Sequence, residues 1–392
     1  MTRVLMLCER FPPDLGGLAR SGARIAGSLA ACGAEVEVLA WTRTIPPGLV
    51  RSGPGEDATP AATGVTLHRM GLYANSDFSM QHTLNLIEFL HGERPYDLIW
   101  GHYLFPPGFV AVTAGAMFDI PSLVAARGND LDRAMFPPGD FARLRWTLER
   151  AGRRVAVSKD LGRKMDVLLG QRDSSLVLPN AVDGEIFKPG LSTDKLAERR
   201  ALGIADDELV LGFSGELRHK KGLPFLLGAL QQVRAARPAC LLVIGELRER
   251  AKSRLAALDL DDAETAERVL VTGRVDQQPE VARLLGLCDV FLHPSVWDGM
   301  PNAVLEAMAC GVPVLASDAG GIPDVITHGE SGLMIPKAKL NHLGAAILEL
   351  FEQPEETRAA IGRGGRERVL DAFQPEHERA ALAGVLEQIT AS

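Results

Sequence analysis

Short, uninterrupted apolar runs recur along the chain, each followed by a glycine- or proline-marked turn and then by a stretch with helical spacing. Val4 to Leu7 is the first, a run of the kind that a parallel strand buried on both faces requires. It leads into Phe11-Pro-Pro-Asp-Leu-Gly-Gly17, a helix predicted from about Leu18 to Cys32, and a second strand from Val36 to Ala40. Strand, glycine loop, crossover helix and strand make the opening unit of a doubly wound α/β domain. Further strands are predicted at 65–69, 98–100, 122–125 and 154–157, with helices at about 79–92, 108–118 and 139–151. Residues 42–64, with four Pro and four Gly, read as a long surface loop.

The periodicity breaks where Pro179 and Pro189 stand with Gly184 and Gly190, so a domain boundary is expected near 185–200. Residues 1–185 then form a first domain and 200–374 a second, with a last helix at about 375–390. The second domain opens on Leu209-Val-Leu-Gly-Phe-Ser-Gly215, a strand running into Glu216-Leu-Arg-His-Lys-Lys-Gly222. Arg218, His219, Lys220 and Lys221 gather four cationic groups in a turn at a helix start, which suits an anionic ligand. More strands follow at 240–244, 269–272, 290–292, 314–316 and 333–335. In open α/β sheets the ligand crevice lies at the carboxyl ends of the strands, and His102 and Arg127 are polar residues at two such ends. A crevice between the two domains is the expected ligand seat.

Residues 288–318 pack strand, turn, helix and strand into one segment. Asp298-Gly299 is a turn signal, Pro301 suits the first helical position, and Gly311 can end a helix of about ten residues. Its exposed amides and positive dipole end would attract a diphosphate. Val304, Leu305 and Met308 supply the core stripe, while Asn302 and Ala303 lie one turn before Glu306 on its own face. A carboxylate there is either a solvated surface group or one paired with hydroxyl donors, because burying it alone is costly.

Length and composition admit two ordinary domains: 392 residues, 46% hydrophobic and 23% charged, globular rather than disordered. The net charge of −8 argues against general nucleic-acid binding. The five cysteines, at 8, 32, 240, 288 and 310, show no CxxC spacing and read as core residues of a reducing compartment. The apolar run at the N-terminus is too short for a signal peptide, and no stretch reaches eighteen apolar residues, so a cytoplasmic protein is expected. The Gly16-Gly17 pair allows close approach to a phosphate or sugar, yet neither GxGxxG nor a Walker A loop is present. Asp130-Leu-Asp132 matches a short metal-binding triplet, against which helix capping by Asp130 is the preferred reading. No metal and no cofactor are expected. Residues 141–172 hold nine Arg or Lys against three Asp or Glu with aromatic and leucine residues between. That segment reads as a solvated helix face, with peripheral contact at the inner membrane face as the alternative.

The run Asp298-Gly-Met-Pro-Asn-Ala-Val-Leu-Glu306-Ala-Met-Ala-Cys-Gly-Val-Pro-Val resembles the acidic signature of the retaining family 4 glycosyltransferases of the GT-B fold. Supporting pieces follow the family's order along nearly the whole chain, including Leu178-Pro-Asn-Ala-Val-Asp183 and Asp318-Ala-Gly-Gly-Ile-Pro-Asp324. The resemblance implies two Rossmann-like domains facing each other across a cleft, the last helix packing back on the first domain. It implies a nucleotide-diphospho-sugar donor, UDP- or GDP-linked, on the second domain. On the first it implies a glycan, lipid-linked or small-molecule acceptor. By the same resemblance Glu306 holds the ribose and Asp298 the donor sugar, while Lys221 meets the diphosphate. Gly17, Gly215, His102, Arg127, Gly299, Met300, Pro301 and Asn302 line the donor, and Val275 lies where the base is received. The chain departs from the family at Asp298, where Glu is usual, at Arg127, where many members carry His, and at Glu216, where Arg is usual. Arg218 is the candidate replacement for that missing Arg. A GT-B-like epimerase, or a sugar-nucleotide-binding protein without transfer, remains the alternative.

Overall fold

The computed structural model of the chain describes residues 1–14, 16–55, 62–190, 194–247 and 263–390. It divides into two compact units, Met1–Asn180 with Pro375–Ser392, and Ala181–Gln374.

The first unit is built on a sheet of order β3-β4-β2-β1-β5-β6-β7-β8. Its central strands are β1 (Arg3–Cys8), β2 (Glu35–Thr42), β4 (Val65–Gly71), β5 (Leu98–His102), β6 (Ser122–Ala126), β7 (Arg153–Ala156) and β8 (Leu176–Val177). All of these pair in parallel. The apolar run read as a two-face-buried strand is just that: Val4, Leu5, Met6 and Leu7 are essentially inaccessible. One expectation is corrected. Inside the stretch read as a loop, β3 (Val50–Pro54) pairs antiparallel with β4 as an edge strand. Its Pro and Gly masked the signal, and edge position is where a sheet tolerates them; residues 56–61 of that loop lie outside the described residues. The helix Pro375–Thr390 belongs to this unit, and its Leu382, Val385 and Leu386 share a core cluster with Met6, Ile25 and Leu29.

A polar knot crosses this sheet. Glu37 accepts from Arg3, from Tyr96 OH at 2.6 Å and from His68 Nε2 at 3.1 Å, and His68 Nδ1 meets Ser52 Oγ at 2.7 Å. Burial alone would raise the Glu37 carboxyl, but the hydrogen bonds from His68, Tyr96 and Arg3 outweigh it and bring it down to about 2. A carboxyl held below its unfolded value stabilises the fold above that value and loses its contribution as pH falls toward about 2. Glu37→Gln should therefore cost about 1.5–3 kcal/mol at neutral pH. It should also flatten the acid limb of the stability profile, measured by denaturant melts between pH 7 and pH 3.

Four basic residues of the segment 141–172, Arg143, Arg145, Arg163 and Lys164, are held in ion pairs. Arg143 meets Asp77 at 3.1 Å, Arg145 meets Glu149 at 2.7 Å, and Asp160 takes both Arg163 at 2.8 Å and Lys164 at 2.9 Å. No helix among the described residues is long and apolar enough to cross a membrane.

The second unit has the order β11-β10-β9-β12-β13-β14, all parallel. The strands are β9 (Leu209–Ser214), β10 (Ala239–Ile244), β11 (Val269–Val271), β12 (Val290–His293), β13 (Val314–Ser317) and β14 (Leu333–Ile335). Successive strands are laid down in one direction from β9 and in the other from β12. The β9/β12 gap is thus a topological switch point, where loops from neighbouring strand ends diverge and leave a crevice. The β1/β5 gap is its counterpart in the first unit.

Candidate functional site

Two loops meet above the β9/β12 switch point. The first runs from Gly215 to Gly222 after β9, and the second from Pro294 to Pro301 after β12. Lys220 O accepts from Val296 N at 3.0 Å, so the loops are tied backbone to backbone. Gly222, at φ 89°, lets them close: a Cβ there would lie 2.2 Å from Pro294 O.

That seam brings together residues 77 apart in the chain. Lys221 Nζ lies 2.5 Å from Asp298 Oδ2, and His293 Nε2 lies 3.0 Å from the same oxygen. Burial would raise the Asp298 carboxyl, but the Lys221 ammonium and the His293 hydrogen bond hold it well below the usual carboxylate range. Asp298 is therefore an anion with one oxygen anchored twice. Lys220 is also cationic, its pKa lowered by burial and by Arg218 and Lys221 beside it. Arg218 does not stand free: its Nη2 meets Glu216 Oε2 at 2.8 Å. The residue in the usual Arg position thus offsets the charge of its candidate replacement.

Gly299, Met300 and Pro301 carry the second loop into the helix Asn302–Ala309. One detail differs from the sequence reading, and one that it left open is decided. Pro301 has extended backbone (φ −76°, ψ 117°) and sits at the cap, leaving Asn302 as the first helical residue. Glu306 is not a surface group: it is 4% exposed, on a helix whose residues 304–309 are all buried. Periodicity left this open because it assigns one buried face, whereas residues 304–309 are buried on every side of the helix. Its carboxylate helps burial push the Cys310 thiol up to about 12. Val275 lies four residues past the end of β11, the edge strand three places from β12.

The first unit's candidates gather near its own switch point. Gly17 is exposed and opens the helix Gly17–Ala31, which carries Ser21. Ser21 Oγ donates to Leu18 O at 3.0 Å and lies 2.9 Å from His102 Nε2. His102 is fully buried, and burial together with Arg127 and Arg24 keeps its imidazole neutral. Arg127 is also buried and has a structural use, donating to Leu178 O at 3.2 Å and to Asn180 Oδ1 at 2.6 Å. Burial, reinforced by Arg24, brings its pKa down to about 10. Asp130 differs from the helix-capping role read for it. Its carboxylate accepts the amides of Leu104, Arg127 and Gly128 at 3.1, 3.3 and 3.1 Å, organising the turn before its helix. Both oxygens are thereby used by backbone.

His293, Ser295 and Asn180 were passed over in the sequence. The rule that singled out His102, a polar residue at the carboxyl end of a buried strand, applies equally to His293-Pro-Ser295 after Val290-Phe-Leu292.

Comparison with known proteins follows the same division. The family described as Glycosyl transferases group 1 matches residues 194–368, and the Glycosyl transferase 4-like domain matches residues 16–181. A Corynebacterium glutamicum protein is 30% identical over 307 residues, covering 75% of this chain and 77% of that one. It is named a GDP-mannose-dependent monoacylated alpha-(1-6)-phosphatidylinositol monomannoside mannosyltransferase. Sucrose-phosphate synthase from Thermosynechococcus elongatus superposes with a TM-score of 0.81 at 19% identity, over 100% of both chains. Anabaena HepE, solved with UDP and glucose, gives 0.80 at 19% identity over 99% of this chain and 100% of that one. An enzyme that transfers a sugar from a nucleotide donor is the class so defined. The chain belongs to the group 1, family 4 glycosyltransferases, of the GT-B fold.

Proposed function

We propose that the second unit binds a UDP- or GDP-linked sugar and that transfer retains the configuration at the anomeric carbon without a metal ion. A glycan, lipid-linked or small-molecule acceptor is taken by the first unit. The observation carrying this reading is the Lys221–Asp298 pair at the switch point, 2.5 Å apart and next to the start of the Asn302–Ala309 helix. Departure of the nucleoside diphosphate leaves negative charge on the terminal phosphate. Lys221 and the first-turn amides of that helix supply positive charge for it without reorganisation at the moment of reaction. Asp298, kept anionic, accepts donor-sugar hydroxyls, and Glu306 takes the ribose. The roughly 14 Å from β12 to β11 suits an extended nucleotide whose base reaches Gly273–Val275. The donor type is carried over from relatives: one is named for GDP-mannose, and a fold neighbour was solved with UDP-glucose.

Thermal-shift measurements with UDP, GDP and their sugars test the donor, since a ligand of the folded state raises the apparent melting temperature. Product analysis with a donor alone and with acceptors then separates transfer from epimerisation. The Glu216–Arg218 pair favours one second reading, a sugar-nucleotide-binding protein without transfer, and donor binding with no product from any acceptor would select it. Glu306→Ala should raise the KM for the donor at least about tenfold, the loss expected for one charged hydrogen bond to a hydroxyl. An unchanged KM would remove Glu306 from the donor site.

A further inference from the structure

His293 is the last residue of β12 and is 1% exposed, with the rings of Phe213 and Phe291 nearly parallel to its own at centroid distances of 6.4 Å. Two aromatic neighbours and a strand backbone leave the imidazole little freedom. Its Nε2 reaches Asp298 Oδ2, the same oxygen that Lys221 holds. These two anchors differ in kind. Lys221 is a flexible ammonium on a loop, and the proposed function gives it a second partner, the diphosphate. Once that charge draws Lys221 away, the rigid imidazole is the donor left to the carboxylate. Both anchors fall on Oδ2, which leaves Oδ1 to accept a substrate hydroxyl. The shorter Asp in place of the usual Glu makes the setting of this carboxylate more critical, because it has less reach to correct an error.

We propose that His293 is the positioning residue of the donor-sugar site, its Nε2–H holding Asp298 in place so that Oδ1 meets the sugar while Lys221 serves the diphosphate. The inference rests on the reading of Asp298 as a donor-sugar ligand. Burial keeps this imidazole toward its neutral form, so it acts as a hydrogen-bond donor and not as a proton shuttle.

Three variants test it in the full-length enzyme: His293→Phe, which preserves the aromatic packing and removes the donor, His293→Gln, which restores an N–H, and Asp298→Asn. Affinities for UDP, UDP-glucose, GDP and GDP-mannose are measured beside kcat, KM and the melting temperature. His293→Phe should lose about tenfold or more in turnover and in affinity for the sugar nucleotide relative to the bare nucleotide. Affinity for UDP or GDP alone should be unchanged, and His293→Gln should recover most of the loss. If Asp298→Asn shows the sugar-specific loss and His293→Phe behaves as wild type, the positioning role is overturned. If bare nucleotide and sugar nucleotide weaken together with the melting temperature, His293 is only structural. If Asp298→Asn leaves sugar recognition intact, the underlying assignment of Asp298 fails instead.

Discussion

Lys221→Ala is expected to lower turnover about 10²–10³-fold at saturating donor, with the protein still folded. The chain places this ammonium beside a carboxyl whose pKa burial raises, and its charge helps keep Asp298 ionised. Removing it therefore does two things: in the proposed reaction the leaving diphosphate loses the Lys221 charge, and Asp298 keeps the His293 hydrogen bond. The second effect costs stability, on the order of 1–3 kcal/mol for a part-buried charged group deprived of a partner. Loss of the leaving-group contact appears in kcat, because it is made chiefly when charge develops. Steady-state kinetics together with a thermal melt separate the two. A kcat near that of the wild type would take Lys221 out of the reaction.

Gly320→Ala should be nearly as damaging, although Gly320 carries no chemistry. Its φ of 55° lies in the left-handed region, and a Cβ there would stand 1.7 Å from Asp298 O. The atom struck is rigid backbone, so the 318–321 turn and the Asp298 loop must part. Overpacking of this kind costs roughly 1–3 kcal/mol. Displacing a catalytic loop by about 1 Å can cost on the order of 10² in rate. The expected outcome is a lower melting temperature, weaker donor binding and turnover down about 10²-fold. Normal kinetics in a destabilised protein would mean that the two loops move independently of the reaction.

Several elements could be read from residues alone because their causes are local. The run Val4–Leu7 had to be buried on both faces, the Gly16-Gly17 turn and the following helix came in the order of a crossover unit, and Asp298-Gly299 had to turn. The strand Val50–Pro54 was missed because pairing at a sheet edge leaves a weak hydrophobic pattern. Glu306 was placed on the right helix with its burial left open, and the tertiary structure buries it. What surrounds a helix is settled by other elements, not by its own spacing.

The sequence by itself determined the α/β class, the strand–loop–helix alternation and the identity of the charged groups in the two loops. Only the tertiary structure decided that Lys221 and His293 meet on one oxygen of Asp298, that Arg218 is balanced by Glu216, and that Arg127 donates to Asn180. Propensity and periodicity act within a few residues along the chain, whereas charge and burial act through space. The strand order, which sets β9 beside β12, converts residues far apart in sequence into neighbours a hydrogen bond apart.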